Sequence, residues 1–223
     1  MWDHTLPELF FKGGVVMWPL LACSILGLAL MLERAAVLLW KSIPFAPLRE
    51  ALRQRVRAGK LDAAQAEAAA SRSPVARVAA AYLRHRDSPD KLREEATGTE
   101  ASRQLAGLER RMAVLAMVVQ VAPLLGLLGT VTGLVDAFHQ IEVKAGQVQP
   151  GDLAAGIWEA LLTTVFGLVI AVPCQMAHTL LDQRIHTLAL QMEWITNDLD
   201  EWLNLTTGEA AEPAGAGAAP LRR

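Results

Sequence analysis

Polar and apolar positions divide this chain into long uncharged runs separated by charged, alanine-rich intervals. Three runs carry no Asp, Glu, Lys or Arg: Gly13 to Leu32 (20 residues), Met112 to Val135 (24) and Ala160 to Leu181 (22). A helix rises about 1.5 Å per residue, so roughly 20 apolar residues cross about 30 Å of hydrocarbon. Each run therefore predicts a transmembrane helix. Three core helices of that length in 223 residues would leave too little polar surface to cover them in water. A second periodicity follows the third run. Ile185, Leu188, Met192, Ile195, Leu199 and Trp202 recur at intervals of 3, 4, 3, 4 and 3, the spacing of a heptad seam. The third span is thus expected to continue below the membrane as a helix with one apolar stripe.

Punctuation between the runs sets the remaining elements. Pro44 and Pro47 open the long polar interval, and Gly59 and Ser73-Pro74 break it into two or three short helices. Ser88-Pro89-Asp90 is a start signal, and only glycines follow it as breakers until Pro123, which predicts one helix running straight into the second span. Ahead of the first run, Trp2, Leu6, Leu9, Phe10 and Phe11 alternate with polar groups, as in a helix lying at a membrane interface. The last segment, GEAAEPAGAGAAPLRR, is low-complexity and is expected to be disordered. The expected organisation is an interfacial helix at 1–12, a first span at 13–40 and a cytoplasmic helical domain at 41–111. A second span at 112–137, a periplasmic hairpin at 138–152 and a third span at 153–181 follow. A cytoplasmic helix at 182–207 and a disordered tail at 208–223 complete an all-α membrane protein.

Composition supports this class: 52% of residues are hydrophobic but only 5% aromatic, and the mean hydropathy is +0.27. Charge then orients it. Of 21 Lys and Arg, 15 lie between Lys41 and Arg111, whereas the expected hairpin at 138–152 has Lys144 against Glu142 and Asp152. Positive charge marks the cytoplasmic side, so the N-terminus is expected outside and the C-terminus inside. Nine acidic residues are mixed into the basic interval, and topology already explains its charge, so nucleic acid is not an expected partner. The start MWDHTLPELFFKGG lacks the basic region of a signal peptide, and the first span is expected to be retained. Cys23 and Cys174 fall inside spans, and His4, His85, His139, His178 and His186 show no ligand spacing, so no metal or cofactor is expected. No paired nucleophile and base and no phosphate-cradling glycine loop suggests an enzyme.

Glu159 is the most informative residue. It stands seven residues after Asp152 and directly before 22 uncharged ones, about two turns into a helix starting near Leu153. A charge at depth in a membrane costs roughly 2.5 to 3.5 kcal/mol on insertion scales, so such a group faces a cavity or a partner. A carboxyl removed from water favours its protonated form, which makes it able to carry a proton. Two readings stand open: proton carriage, or pairing with a neighbouring helix or the interface. Thr163, four residues on, shares its helix side with Gly156, Ala160 and Gly167, and Thr164 is one step round. A hydroxyl both donates and accepts, as a proton path requires, or it satisfies its own backbone. In the second span Ala122, Gly126, Gly129, Thr130, Gly133 and Ala137 make a face of small side chains, with Gly129 and Gly133 in GxxxG register. Pro123 and Pro173 are expected kinks.

These residues carry a resemblance. Ala122-Pro123-Leu124-Leu125-Gly126-Leu127-Leu128-Gly129-Thr130-Val131 with Gly133 is similar to the second-span signature of the ExbB/TolQ/MotA proton-channel family. Glu159-Ala160-Leu161-Leu162-Thr163-Thr164, Gly167-Leu168 and Ala171-Val172-Pro173 resemble its third-span signature, and Trp18-Pro19-Leu20 with Glu33-Arg34 its first. Phe166 and Cys174 stand where small residues are more usual. Three spans and an N-terminal arm look like the ExbB and TolQ branch. The resemblance implies a homo-oligomeric ring, a pentamer, in the bacterial inner membrane, whose second and third spans surround two copies of an ExbD- or TolR-like single-span partner. Glu159, Thr130 and Thr164 match the family's proton pathway, with Thr163 beside them, and Gly126, Gly129, Gly133, Gly156 and Gly167 are the expected pore packing face. Membrane lipids and a TonB- or TolA-like or motility effector are the further partners implied. A passive oligomeric scaffold is the rival expectation.

Overall fold

A computed structural model of the chain describes residues 10–41, 43–143 and 150–211, and side chains within these except at 150–153, 155 and 206–211. Most of the expected interfacial helix, Lys144 and the Asp152 side chain of the expected hairpin, and nearly all of the C-terminal tail lie outside this description. Helices make up the described chain: α1 Met17–Lys41, α2 Phe45–Arg57, α3 Leu61–Ala70, α4 Pro74–Arg84, α5 Asp90–Glu109, α6 Met112–Val143 and α7 Pro150–Ala211. Three helices are long and apolar enough to cross a membrane, carrying the three uncharged runs. The chain divides into two compact units, Met1–Val37 with Glu109–Gln183, and Leu38–Leu108 with Arg184–Arg223.

The first unit packs the three apolar runs together. Met17 and Leu20 of α1, Ala122 of α6 and Ala171 of α7 form a buried cluster, ringed by Phe10, Val16, Cys23, Leu125, Phe166 and Ile170. Leu124, Leu127, Val131, Val135, Leu161, Val165, Val169 and Val172 stay exposed, as lipid- or partner-facing positions of a membrane helix do. The first span begins at Met17, later than the uncharged run, because the chain turns at Gly13-Gly14. Gly13 N–H donates to Phe10 O (3.2 Å), Met17 N–H donates to Gly14 O (3.3 Å), and Gly14 takes φ +67°. Glycine adopts this left-handed backbone without steric cost.

One expectation is corrected. The helix starting near Ser88 does not run unbroken into the second span. It begins at Asp90, with Pro89 O accepting from Arg93 N–H (3.1 Å), and stops at Glu109; a turn at Arg110-Arg111 separates it from α6. Arg111 sits at φ +70°, a conformation costing an L-residue roughly 1–2 kcal/mol. Side chains from α1 hold it. Arg34, 5% exposed, donates from Nη1 to Arg110 O (2.8 Å) and from Nη2 to Glu33 Oε1 (2.9 Å), while Arg111 pairs with the same Glu33 carboxylate. The ion pair and the capped carbonyl offset the strained backbone.

The second unit is a helical bundle around an apolar core. All six seam residues, Ile185 to Trp202, are buried, and so are Leu52 and Val56 of α2, Ala64 and Ala68 of α3, and Val75, Val78, Ala79, Tyr82 and Leu83 of α4. Gly59, at φ +70°, closes α2 with paired bonds from Lys60 N–H to Arg55 O and from Gly59 N–H to Val56 O (both 3.0 Å), a left-handed helix cap. Pro74 starts α4 in the first helical turn, where its missing N–H costs nothing. Polar ties fix α7 here. Arg49 grips Asp198 with two bonds, and Tyr82 OH donates to Asp200 Oδ1 (2.6 Å), which also accepts from Arg93 (3.2 Å). Burial, then donation to Asp200, pushes the Tyr82 hydroxyl above the ordinary tyrosine range.

Candidate functional site

The second and third spans meet through backbone. A Cβ built on Gly126 would lie 3.0 Å from both Thr163 O and Thr164 Cα, and one on Gly167 would lie 2.7 Å from Ala122 O and 3.3 Å from Gly126 Cα. One on Gly129 would overlap the Thr163 side chain, with Cβ at 2.6 Å and Cγ2 at 2.8 Å. Gly133 and Gly156 complete the seam against Ala160 and Ala137 (3.0 and 2.9 Å). Small residues are what allow membrane helices to approach this closely. All five glycines expected on the packing face therefore sit at the α6–α7 contact within one subunit. Span one joins the pair at Gly27, whose Cβ would lie 2.7 Å from Cys174 Sγ and 3.3 Å from Val118 Cγ1.

Two threonines bridge the same seam. Thr163, 1% exposed, donates from Oγ1 to Ala160 O (2.7 Å) with Gly126 O also in range (3.2 Å), and Thr164 Oγ1 donates to Gly126 O (3.1 Å). Each hydroxyl has one proton, so with Thr163 donating to the nearer Ala160 O, Thr164 is the donor that crosses to Gly126 O. Thr130 bonds within its own helix, to Leu127 O (2.6 Å). Thr130 and Thr164 are half-buried, while Thr163 is sealed. Thus the structure brings Thr163 and Thr164 to one acceptor and leaves Thr130 one helical turn from it.

Glu159 lies nine residues into α7, about 13 Å from its start. Its side chain is half-buried. Among the described residues its carboxylate has no hydrogen-bond or ion-pair partner. It rests against the backbone of Gly14, so that a Cβ on Gly14 would overlap Oε1 and lie 3.2 Å from Cδ. Sequence reasoning missed this neighbour. The available signal was the Gly13-Gly14 pair directly ahead of an apolar run. It also missed the Glu33-Arg34-Arg110-Arg111 cluster, which a sequence reveals only as scattered charges.

Three helices long and apolar enough to cross a membrane, two of them interlocked through glycine and threonine, define a multi-pass membrane protein. Residues 70–194 match the MotA/TolQ/ExbB proton channel family. The chain is 33% identical over 203 residues to the biopolymer transport protein exbB1 of Vibrio cholerae, covering 90% of this chain and 89% of that one. It is 35% identical to an ExbB-like biopolymer transport protein of Synechocystis, over 73% of this chain and 65% of the relative. It is 36% identical to the Tol-Pal system protein TolQ of Haemophilus influenzae, over 49% of this chain and 46% of that one. The chain belongs to the MotA/TolQ/ExbB proton channel family.

Proposed function

We propose that this protein is an ion-motive-force transducer of the bacterial inner membrane, coupling proton passage to mechanical work in the cell envelope. The observation that carries the reading is Glu159: a carboxyl group in the apolar part of the first unit, without a hydrogen-bond or ion-pair partner among the described residues. Carboxylates at membrane depth pair with something or exchange protons, and none of the described residues pairs with this one, which favours a complement in another polypeptide. An ExbD- or TolR-like single-span protein with an aspartate in its span fits that need, two copies within a ring of five. Protons would pass between Glu159, Thr130 or Thr164 and the partner carboxyl. Alternate protonation does work only if the charged and neutral partner states prefer different ring subunits. The N-terminus lies outside and the basic interval inside, as the positive charge bias requires.

The rival is a passive scaffold, in which the small-residue faces and the heptad seam serve oligomerisation and Glu159 merely pairs. Those faces meet within the chain, at the α6–α7 seam, which favours the transducer reading. The test is co-purification with a short, single-span, aspartate-bearing protein encoded beside this one, followed by counting chains. A stable complex of about five to two is expected; a homomer that performs the energised work alone would contradict the reading.

A further inference from the structure

We propose that Gly14 is a positioning residue for Glu159, resting on the reading of Glu159 as proton carrier given above. The turn ahead of the first span presents bare backbone to the Glu159 carboxyl. A Cβ on Gly14 would overlap Oε1 and lie 3.2 Å from Cδ and 3.9 Å from Cγ, so the end of the glutamate side chain runs along that backbone. The turn is not free to step aside. A Cβ on the adjoining Gly13 would lie 2.5 Å from Met17 Cγ and 2.7 Å from Met17 Sδ, and Met17 is buried in the cluster with Leu20, Ala122 and Ala171. Gly14 O is itself engaged by Met17 N–H (3.3 Å). The turn is therefore the fixed wall and the carboxyl the group that must yield. Glutamate has three rotatable side-chain bonds, and a wall along one side removes the rotamers that would cross it. Gly14 thereby selects where the carboxyl is held, and it shields one side of it from water.

The chain itself contains a matched control. Gly59 has nearly the same backbone, φ +70°, with nothing within 4 Å of its would-be Cβ. Asparagine tolerates left-handed φ better than other side chains, so Gly14→Asn adds a side chain with little backbone strain, and Gly59→Asn repeats that strain in open space. The full chain is reconstituted with its single-span partner, and the rate at which a carbodiimide modifies Glu159 is read by mass spectrometry. Gly14→Asn, whose added side chain displaces the carboxyl from the turn toward water, is expected to speed modification about three- to tenfold, the scale of one forced rotamer change, and Gly59→Asn to match the parent. A rescue accompanies it: Glu159→Asp withdraws the carboxyl by one methylene, so adding Gly14→Asn to it should lower proton flux no further. Equal modification rates for Gly14→Asn and parent, or additive loss of flux in the double variant, would overturn the proposal.

Should Gly14→Asn not assemble, Glu159→Ala decides instead. Amide exchange at residues 13–15 should quicken when the carboxyl is removed, and unchanged exchange refutes the contact. Modification rate does not depend on conduction. If Glu159→Gln leaves proton flux intact while Gly14→Asn still alters modification, the transducer reading fails and the positioning stands. The reverse pair of results sinks only the positioning.

Discussion

Replacing Gly167 by alanine tests the close approach of the second and third spans. The added Cβ would lie 2.7 Å from Ala122 O, a backbone atom that no rotamer change can move, and ordinary contact begins at 3.4 Å, so α7 must retreat by about 0.7 Å. That retreat stretches the Thr164 bond to Gly126 O from 3.1 Å to about 3.8 Å, beyond hydrogen-bond range. Overpacking costs ~1–3 kcal/mol, and each side-chain bond lost between membrane helices roughly 0.6 kcal/mol more. The expected destabilisation is therefore about 2–4 kcal/mol. It can be read as the shift in midpoint of SDS-driven unfolding in mixed micelles, followed by circular dichroism. Gly107→Ala is the control, because its Cβ would meet nothing within 4 Å; alanine in a helix there should stabilise by up to ~1 kcal/mol. A parent-like midpoint for Gly167→Ala, or an equal loss for Gly107→Ala, would refute the argument from backbone proximity.

Other perturbations address separate parts of the chain. Arg34→Ala removes the donor that holds Arg110 O and one of the two guanidinium partners of Glu33; losing a buried charged donor costs about 1–3 kcal/mol, and amide exchange at 109–112 should rise. Tyr82→Phe removes the donor to Asp200 and should cost about 1 kcal/mol at neutral pH. Because the folded tyrosine titrates above the ordinary value near 10, its contribution is intact below that pH and is lost as the pH rises beyond it. Denaturation curves of parent and Tyr82→Phe should converge on the alkaline side, and a constant gap would contradict the assigned cause. Thr164→Val takes one of two hydroxyls from Gly126 O while keeping the side chain's shape, so the assembled complex should persist with energised work abolished; retained work would remove Thr164 from the proton path.

Spacing and charge made the three spans and the apolar stripe of α7 legible, because both depend on local sequence alone. The break at Arg110-Arg111 was hidden for the opposite reason. No glycine or proline marks it, and what stabilises it is Arg34 and Glu33, more than 70 residues away. The same limit applies to the candidate site. Helical spacing placed Glu159 and Thr163 on one side of α7 but did not say which neighbour covers each. Gly126 and Gly129 seal Thr163, while Glu159, one turn earlier, meets the Gly14 turn and is left without a polar partner among the described residues. Small-residue spacing likewise announced a close helix contact without saying whether it forms inside one subunit or between copies.

The central claim is that the Glu159 carboxyl carries protons jointly with a second polypeptide. Proton flux into liposomes holding the complete complex, compared between the parent and Glu159→Gln, tests it most directly. Partner-dependent flux in the parent and its loss in the variant, with the complex still assembled, is the expected result. Equal flux in the two, or full flux from the homomer alone, would contradict the account.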